Sequence, residues 1–375
     1  MNGLAVPIMR SVTNLFTAEI VWTASPYDLQ GDAQALFAEV TPQAGLERFY
    51  SALSWYDLLC RTAPPPNARP GYLLVRWQGR VVALLAVWGT KDQQWQSQTS
   101  PYSCLYAPLL AAELDAPLVR KVGHSVAILL RKSNVTTLRL DCLDPDWPPF
   151  AAFGAGLGSG GVVLLRFAHF GSWASEIAVD GYKAGWAIYH ARLSGALRET
   201  IRRRRARMQR DGGFRFTLVT GGPELPSAIA AFETVYGQSW KPDEPFQTFN
   251  AEMMTLCAAH GVLRLALLWH HDTPVAAQYW LVTGGEAQVL KLAHVKTFEA
   301  FSPGTLLTAW TINQIIDAGD AHVLDFGRGD DEYKQLWVNQ RRQRIGVVIA
   351  NPRCRGGLMI IMRHVLGRML RFFAA

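Results

Sequence analysis

The second half of the chain alternates between two hydrophobic periods. FRFTLVT (214–220) reads as a strand, and ELPSAIAAFETVYGQSW (224–240) as a helix ended by the break KPDEP. NAEMMTLCAAHG (250–261) predicts a second helix, with Asn250 as N-cap and Gly261 as its stop. VLRLALLW and PVAAQYWLV predict two strands joined by a hairpin turn at His270, His271, Asp272 and Thr273. A further strand, AQVLKLAHV (287–295), leads through FEAFSPG to a helix that opens at Thr305, Leu306 and Leu307 and runs to Gly319. HVLDF (322–326) is again a strand. It breaks at Gly327 and Gly329, passes three acids, and restarts with helical spacing through Tyr333, Lys334 and Trp337. RRQRIGVVIA supplies the last strand. The order β-α-α-β-β-β-α-β-α-β predicts an α+β fold, a mixed, mostly antiparallel sheet flanked by helices with one crossover near its middle.

Pieces of the same order occur in the first half. GYLLVRWQGRVVALLAVWG is a strand pair across Gln78 and Gly79, followed by the apolar patch SCLYAPLLA, a helix near 115–132 and the strand TTLRLDCL. This recurrence predicts an internal duplication and two similar domains. The expected division is 1–180, a connecting basic helix 181–212, a second domain 213–356 and a tail 357–375. The Pro- and Gly-rich stretch 146–161 reads as the loosest part of the first half.

Composition narrows the class. A chain of 375 residues, 49% hydrophobic and 18% charged, has core enough for two folded domains. No apolar run approaches a membrane span, and the N-terminus MNGLAVPIMRSVTNLF does not read as a leader, so the expected location is cytoplasmic, or peripheral at the inner membrane. Five scattered cysteines without a CxxC pair argue against a disulfide framework or a structural zinc, and no metal site is expected.

The net charge of +7 points to anionic partners and is concentrated in two places. In RETIRRRRARMQR (198–210), with Leu193, Leu197, Ile201 and Met208 at helical spacing, it predicts an amphipathic helix with a basic face. That face suits a phosphate, a charged glycan, a lipid headgroup or a tRNA acceptor stem. It lacks the interleaved aromatics of a single-strand groove, so nucleic acid other than tRNA is not expected. The second place is the final segment from Arg341 onward, whose end, GGLMIIMRHVLGRMLRFFAA, is too short and too charged to span, and either lies on an anionic membrane surface or packs on the domain.

SPGTLL after a strand, a helix ending in AG, then LDFGRGDDEYKQLW, with LRETIRRRRARMQRDGGFRF upstream, resemble the CelD-like branch of the GNAT acyltransferase superfamily, tandem GNAT proteins related in architecture to the FemAB peptidoglycan aminoacyl transferases. The resemblance covers 182–349 well and the first half only in outline, which implies a degenerate first domain. It implies acetyl-CoA or another acyl-CoA as co-substrate, its pantetheine arm between the splayed strands AQVLKLAHV and HVLDFG. Ser302, Pro303, Gly304 and Thr305 would form the phosphate turn, although only Gly304 is a glycine where the family turn has more. Backbone N–H groups and the helix dipole would meet the pyrophosphate there.

Asp325, at the carboxyl end of its strand, is the candidate general base or orienter, against the alternative of a turn cap. Tyr333 is the candidate acid for the leaving thiolate, against packing under the sheet. Lys334 would meet a phosphate or an acidic substrate, unless it is a solvated helix lysine. His294 is a further catalytic candidate. Arg328 and Asp330 are the candidates for holding the acceptor, although Asp330, Asp331 and Glu332 also suit a helix N-terminus. Trp337, one turn after Tyr333 on the same face, reads as core. DFG comes without the other kinase motifs, and Gly327-x-Gly329 lacks the third glycine of a dinucleotide fingerprint. The expected reaction is acyl transfer to an amine or hydroxyl of a sugar, cell-envelope or exopolysaccharide precursor. The alternatives are an aminoacyl-tRNA-dependent transfer of the FemAB kind, or a non-catalytic scaffold of a polysaccharide synthase.

Overall fold

The computed structural model describes residues 15–177 and 185–373, with the backbone alone for 368–373. The N-terminal segment, the boundary expected at 180/181, the first turn of the connecting helix and the tail side chains of Arg368 and Arg371 lie outside the described residues. The first half holds strands β1 (Phe16–Trp22), β2 (Arg69–Trp77), β3 (Arg80–Gly89), β4 (Gln94–Ser97), β5 (Leu109–Leu110), β6 (Thr137–Leu143) and β7 (Val163–Glu176). Its helices are α1 (Asp32–Ala38), α2 (Leu46–Ser51), α3 (Leu53–Thr62), α4 (Ala116–Lys132) and α5 (Phe150–Ser159). The second half opens with α6 (Trp186–Arg192), α7 (Gly195–Asp211), β8 (Phe214–Val219), α8 (Leu225–Gly237) and α9 (Phe249–Ala259). It continues with β9 (Leu263–His270), β10 (Thr273–Thr283), β11 (Gly285–His294), α10 (Pro303–Ala318), β12 (Ala321–Arg328), β13 (Gln340–Ala350) and α11 (Arg355–Phe373).

The strands form one sheet in the order β1-β2-β3-β4-β6-β13-β7-β12-β11-β10-β9-β8, with β5 beside β3. Among the described residues only β4 with β6 and β11 with β12 run parallel. Each parallel pair is bridged by one helix, α4 or α10, so the two halves repeat one order of elements. Their last strands are exchanged. β7 pairs with β12 of the second half, β13 pairs with β6 of the first, and the two pair with each other from Val163 to Ala174 against 340–350.

Local chemistry explains most boundaries. Gln78 and Gly79 both have positive φ (52° and 86°), the requirement of a two-residue hairpin turn whose twist matches its strands. Leu193, Leu197, Ile201 and Met208 are all buried and hold the arginine-rich α7, with its Ser194 cap, against α6, α10 and the sheet. A second and larger core runs without a break from the first half to α8 and α9.

Two expectations change. Asn250 is no N-cap: α9 starts one residue earlier, and the buried Asn250 side chain accepts a hydrogen bond from the Tyr279 hydroxyl at 2.7 Å. The stretch 146–161 is not loose, because its glycines let α5 touch α4 backbone to backbone. A Cβ on Gly156 would lie 2.0 Å from the Arg120 carbonyl oxygen.

Candidate functional site

The parallel pair β11/β12 is joined only from Gly285/Ala321 to Gln288/Asp325, beyond which the two strands part. At the parting a cavity of about 220 Å³ opens. Val289 to Leu292 of β11 form one wall, and Phe326, Arg328, Tyr333 and Lys334 another. Pro101, Tyr102 and Cys104 from the first half and Lys241 from the loop after α8 close it. The site therefore lies where both halves meet.

β12 does not stop at the glycines. It continues to Arg328 through a bulge against β7, with Gly327 at φ +64°, where a Cβ would lie 2.8 Å from the Val289 carbonyl oxygen. Only a glycine keeps the two strands this close beside the cavity. The helix expected after the acids is a single 3₁₀ turn, 332–336, whose first residues gain little from a helix dipole. Trp337 is buried and stacks on Phe326, as a core residue should, and Tyr333, 38% exposed, meets the same Phe326 ring edge-on.

Of the residues singled out in the sequence, Arg328, Tyr333 and Lys334 line the cavity. Burial raises the Tyr333 hydroxyl well above the usual phenol range, and Asp331 adds to the effect, so the phenol stays protonated. Arg328 is exposed and stacks on Phe170 at 4.6 Å. Lys334 is not a solvated lysine: its side chain is 3% exposed, and its ammonium donates to the carbonyls of Arg328 (2.6 Å), Gly329 (3.1 Å) and Gly327 (3.4 Å). With Asp331 at 3.2 Å beside it, its three donors are spent on fixing the glycine turn.

The other candidates lie outside the cavity lining. Asp325 is buried, and its Oδ1 accepts from the Gly327 N–H at 2.6 Å, so it caps the turn that Lys334 fixes from the other side. Its charge also adds to burial in raising the Cys104 thiol. Asp330 is held by Arg341 through two hydrogen bonds of 2.6 and 2.8 Å, and that guanidinium keeps its carboxyl below the usual range. Ser302 adopts a left-handed conformation (φ 51°), Pro303 is the first residue of α10, and no side chain caps the helix. Arg204 and Arg207 of α7 both donate to the Ala300 carbonyl, so part of the arginine run fastens the approach to this turn. The ring of His294 lies against Gly304, its Nδ1 is buried without a partner among the described residues, and burial lowers its pKa.

The sequence reading missed Lys241, Glu244, Lys291 and Tyr102. Glu244 accepts from Tyr102 at 2.7 Å, from Tyr236 and from Lys291. Burial alone would raise its pKa, but these hydrogen bonds outweigh it and hold the carboxyl low. Lys291 is thereby ion-paired, whereas Lys241 makes no such contact among the described residues and feels Glu244 and Asp331 only at longer range. Burial, then the charge of Lys291, push its pKa down to about 8. Tyr102 stacks on Phe249 with centroids 3.9 Å apart. The one available signal was KPDEP itself, a cation and two acids in the loop between two helices. Among the described residues no cluster of histidine, cysteine or acidic side chains is placed to hold a metal.

Residues 195–335 match the model of the acetyltransferase (GNAT) domain. No curated protein matches the chain. Among solved structures, FemX aligns over 89% of this chain and 98% of its own at 10% identity with a TM-score of 0.56, a likeness of fold. A tandem GNAT protein from the clavulanic acid biosynthesis pathway aligns over 89% and 99% at 15% identity with a TM-score of 0.48. The C-terminal domain of a lysylphosphatidylglycerol synthetase homologue from Agrobacterium fabrum aligns over 76% and 85% at 14% identity with a TM-score of 0.49. The domain match falls on the half that carries the open splay, and the enzyme is an acyltransferase.

Proposed function

We propose that the chain transfers an acyl group, acetyl in the simplest case, from an acyl-CoA bound in the β11/β12 splay to an amine or hydroxyl of a sugar or cell-envelope precursor, as in exopolysaccharide assembly. The observation that carries this reading is the pairing of a splay open into a cavity with a following helix whose N-terminus no side chain caps. The N–H groups of Gly304 and Thr305 and the helix dipole then serve the pyrophosphate. The unpartnered Nδ1 of His294 lies beside them. β11 beyond Gln288 leaves the pairing with β12, so its backbone is free to hold the pantetheine arm and the thioester oxygen.

Neutral Lys241 takes the proton from the acceptor as its nitrogen or oxygen attacks the thioester carbonyl. The new C–N or C–O bond forms, the C–S bond breaks, and the thiolate leaves with the hydrogen of Tyr333, which solvent restores. Arg328 holds the acceptor. Asp325, Lys334 and Asp330 act as positioning residues for the turn that carries Arg328. A second reading, with an aminoacyl-tRNA as donor, is favoured by the exposed Arg198, Arg205 and Arg210 of α7, which form no ion pair among the described residues.

The test is calorimetric titration of the full chain with acetyl-CoA and with coenzyme A, beside Gly304→Trp. The variant is first checked for an unchanged melting curve, since a Cβ there already lies 3.2 Å from His294. Saturable binding lost in a folded variant supports the donor site. Absence of binding to either nucleotide sinks the acyl-CoA reading, and a steep salt-dependent binding of tRNA in its place would support the second.

A further inference from the structure

The C-terminal helix takes no part in the donor site. Its start is fixed to the first half: the Asn351 amide donates to the Val135 carbonyl at 3.1 Å, and a Cβ on Gly357 would lie 2.1 Å from the Asn351 carbonyl oxygen. Beyond that anchor α11 keeps Ile360, Ile361 and His364 partly covered and turns its other face outward. Leu358, Met359, Met362, Val365 and Leu366 are 46, 65, 61, 45 and 58% exposed. At about 100° per residue these five side chains fall within an arc of about 120°, a continuous apolar stripe. Arg363 borders the stripe and Arg355 lies at its start. Beyond Glu332 the sequence has eight arginines, one lysine and no acid. No helix of the described residues is long and apolar enough to cross a membrane.

We propose that α11 lies flat on an anionic membrane surface, its stripe among the acyl chains and its arginines on lipid phosphates. An apolar face alone would leave the occupant open; the charge decides it. A second copy docked stripe to stripe would bring cationic helices together with no acid in the segment to pair them, whereas an anionic lipid surface complements both the stripe and its border. This anchor would hold the enzyme beside a lipid-borne or membrane-proximal acceptor, and it stands independently of the donor site.

The test is co-sedimentation of the full chain with vesicles of phosphatidylglycerol and phosphatidylcholine, against vesicles of phosphatidylcholine alone, at low and high salt. Binding to the anionic vesicles that falls with salt is expected. Met359→Glu with Met362→Glu should weaken it by about tenfold or more, with an unchanged far-UV spectrum and unchanged acetyl-CoA titration. Arg355→Gln with Arg363→Gln should weaken it by a similar factor, about 1 kcal/mol per charge. No preference for anionic vesicles, or a double Glu variant that sediments like the parent, overturns the proposal. So does a stable dimer in lipid-free buffer that the same Glu substitutions dissociate, which would assign the stripe to a second copy.

Discussion

The two halves carry the same device in opposite states. Each has a parallel strand pair that separates after a few residues, β4/β6 beyond Gln96 and Arg139, and β11/β12 beyond Gln288 and Asp325. In the first half the chain's own segment fills the gap: Tyr106 donates its N–H to the Cys142 carbonyl at 3.0 Å and its hydroxyl to Ala86, and is 2% exposed. In the second half the gap stays open as the cavity. The bridging helices differ in the same sense. α4 is capped by Asp115, whose carboxylate accepts from the Leu118 N–H at 2.9 Å, while α10 has no side-chain cap. A carboxylate at a helix N-terminus takes the place a phosphate would occupy and repels one. In the first half the gap between the parallel strands is thus closed as a wall, and the same segment supplies Pro101, Tyr102 and Cys104 to the cavity of the second.

The contrast can be broken at several points. Tyr106→Ala removes the plug and should lower stability by about 4 kcal/mol, read as a shifted denaturation midpoint, while leaving acetyl-CoA affinity of the folded protein unchanged. Gain of a second nucleotide site would show that the plug alone had closed the first splay. Lys334→Met leaves three carbonyls facing a thioether and should cost about 3 kcal/mol, with loss of transfer because the turn bearing Arg328 is released. Lys241→Gln should reduce transfer about a hundredfold with little change in donor binding. With Lys241 present the rate should rise as pH passes through about 8, because only the neutral amine accepts a proton. Lys241→Arg, charged throughout, should abolish that rise, and a rise that persists would exclude Lys241 as the base. The smallest effect separates the two helix ends: Asp115→Ala should cost about 1 kcal/mol, whereas Ser302→Ala, where no cap is lost, should change stability by less than about 0.5 kcal/mol.

Periodicity carried much of this fold. The hairpins at Gln78 and His271, the buried positions of α7 and the crossover through α10 are local patterns, each written within a few dozen residues, whereas the parting of β11 from β12 was implied only by the family resemblance. The exchange of β7 and β13 is not, because both read as ordinary amphipathic strands and nothing in either names its neighbour. The burial of Lys334 was hidden for a related reason. A lysine beside three acids looks solvated until the irregular turn presents three carbonyls to it. Tyr102 and Glu244 meet across 142 residues, and Asn250 trades a cap for Tyr279; neither bond has a spacing to recognise.

The exchanged strands bear on the order in which the protein is made. β13 (Gln340–Ala350) follows every other strand in the chain, yet it fills the slot between β6 and β7. Until it emerges from the ribosome, the early half waits with an unfilled strand position, two raw edges and a core that still lacks Ile345, Val347 and Ile349. Synthesis through Ala350 must therefore precede the joining of the two half-sheets. A chain truncated before Gln340 would leave those edges open to any neighbouring strand, so one late strand decides whether the early ones are protected.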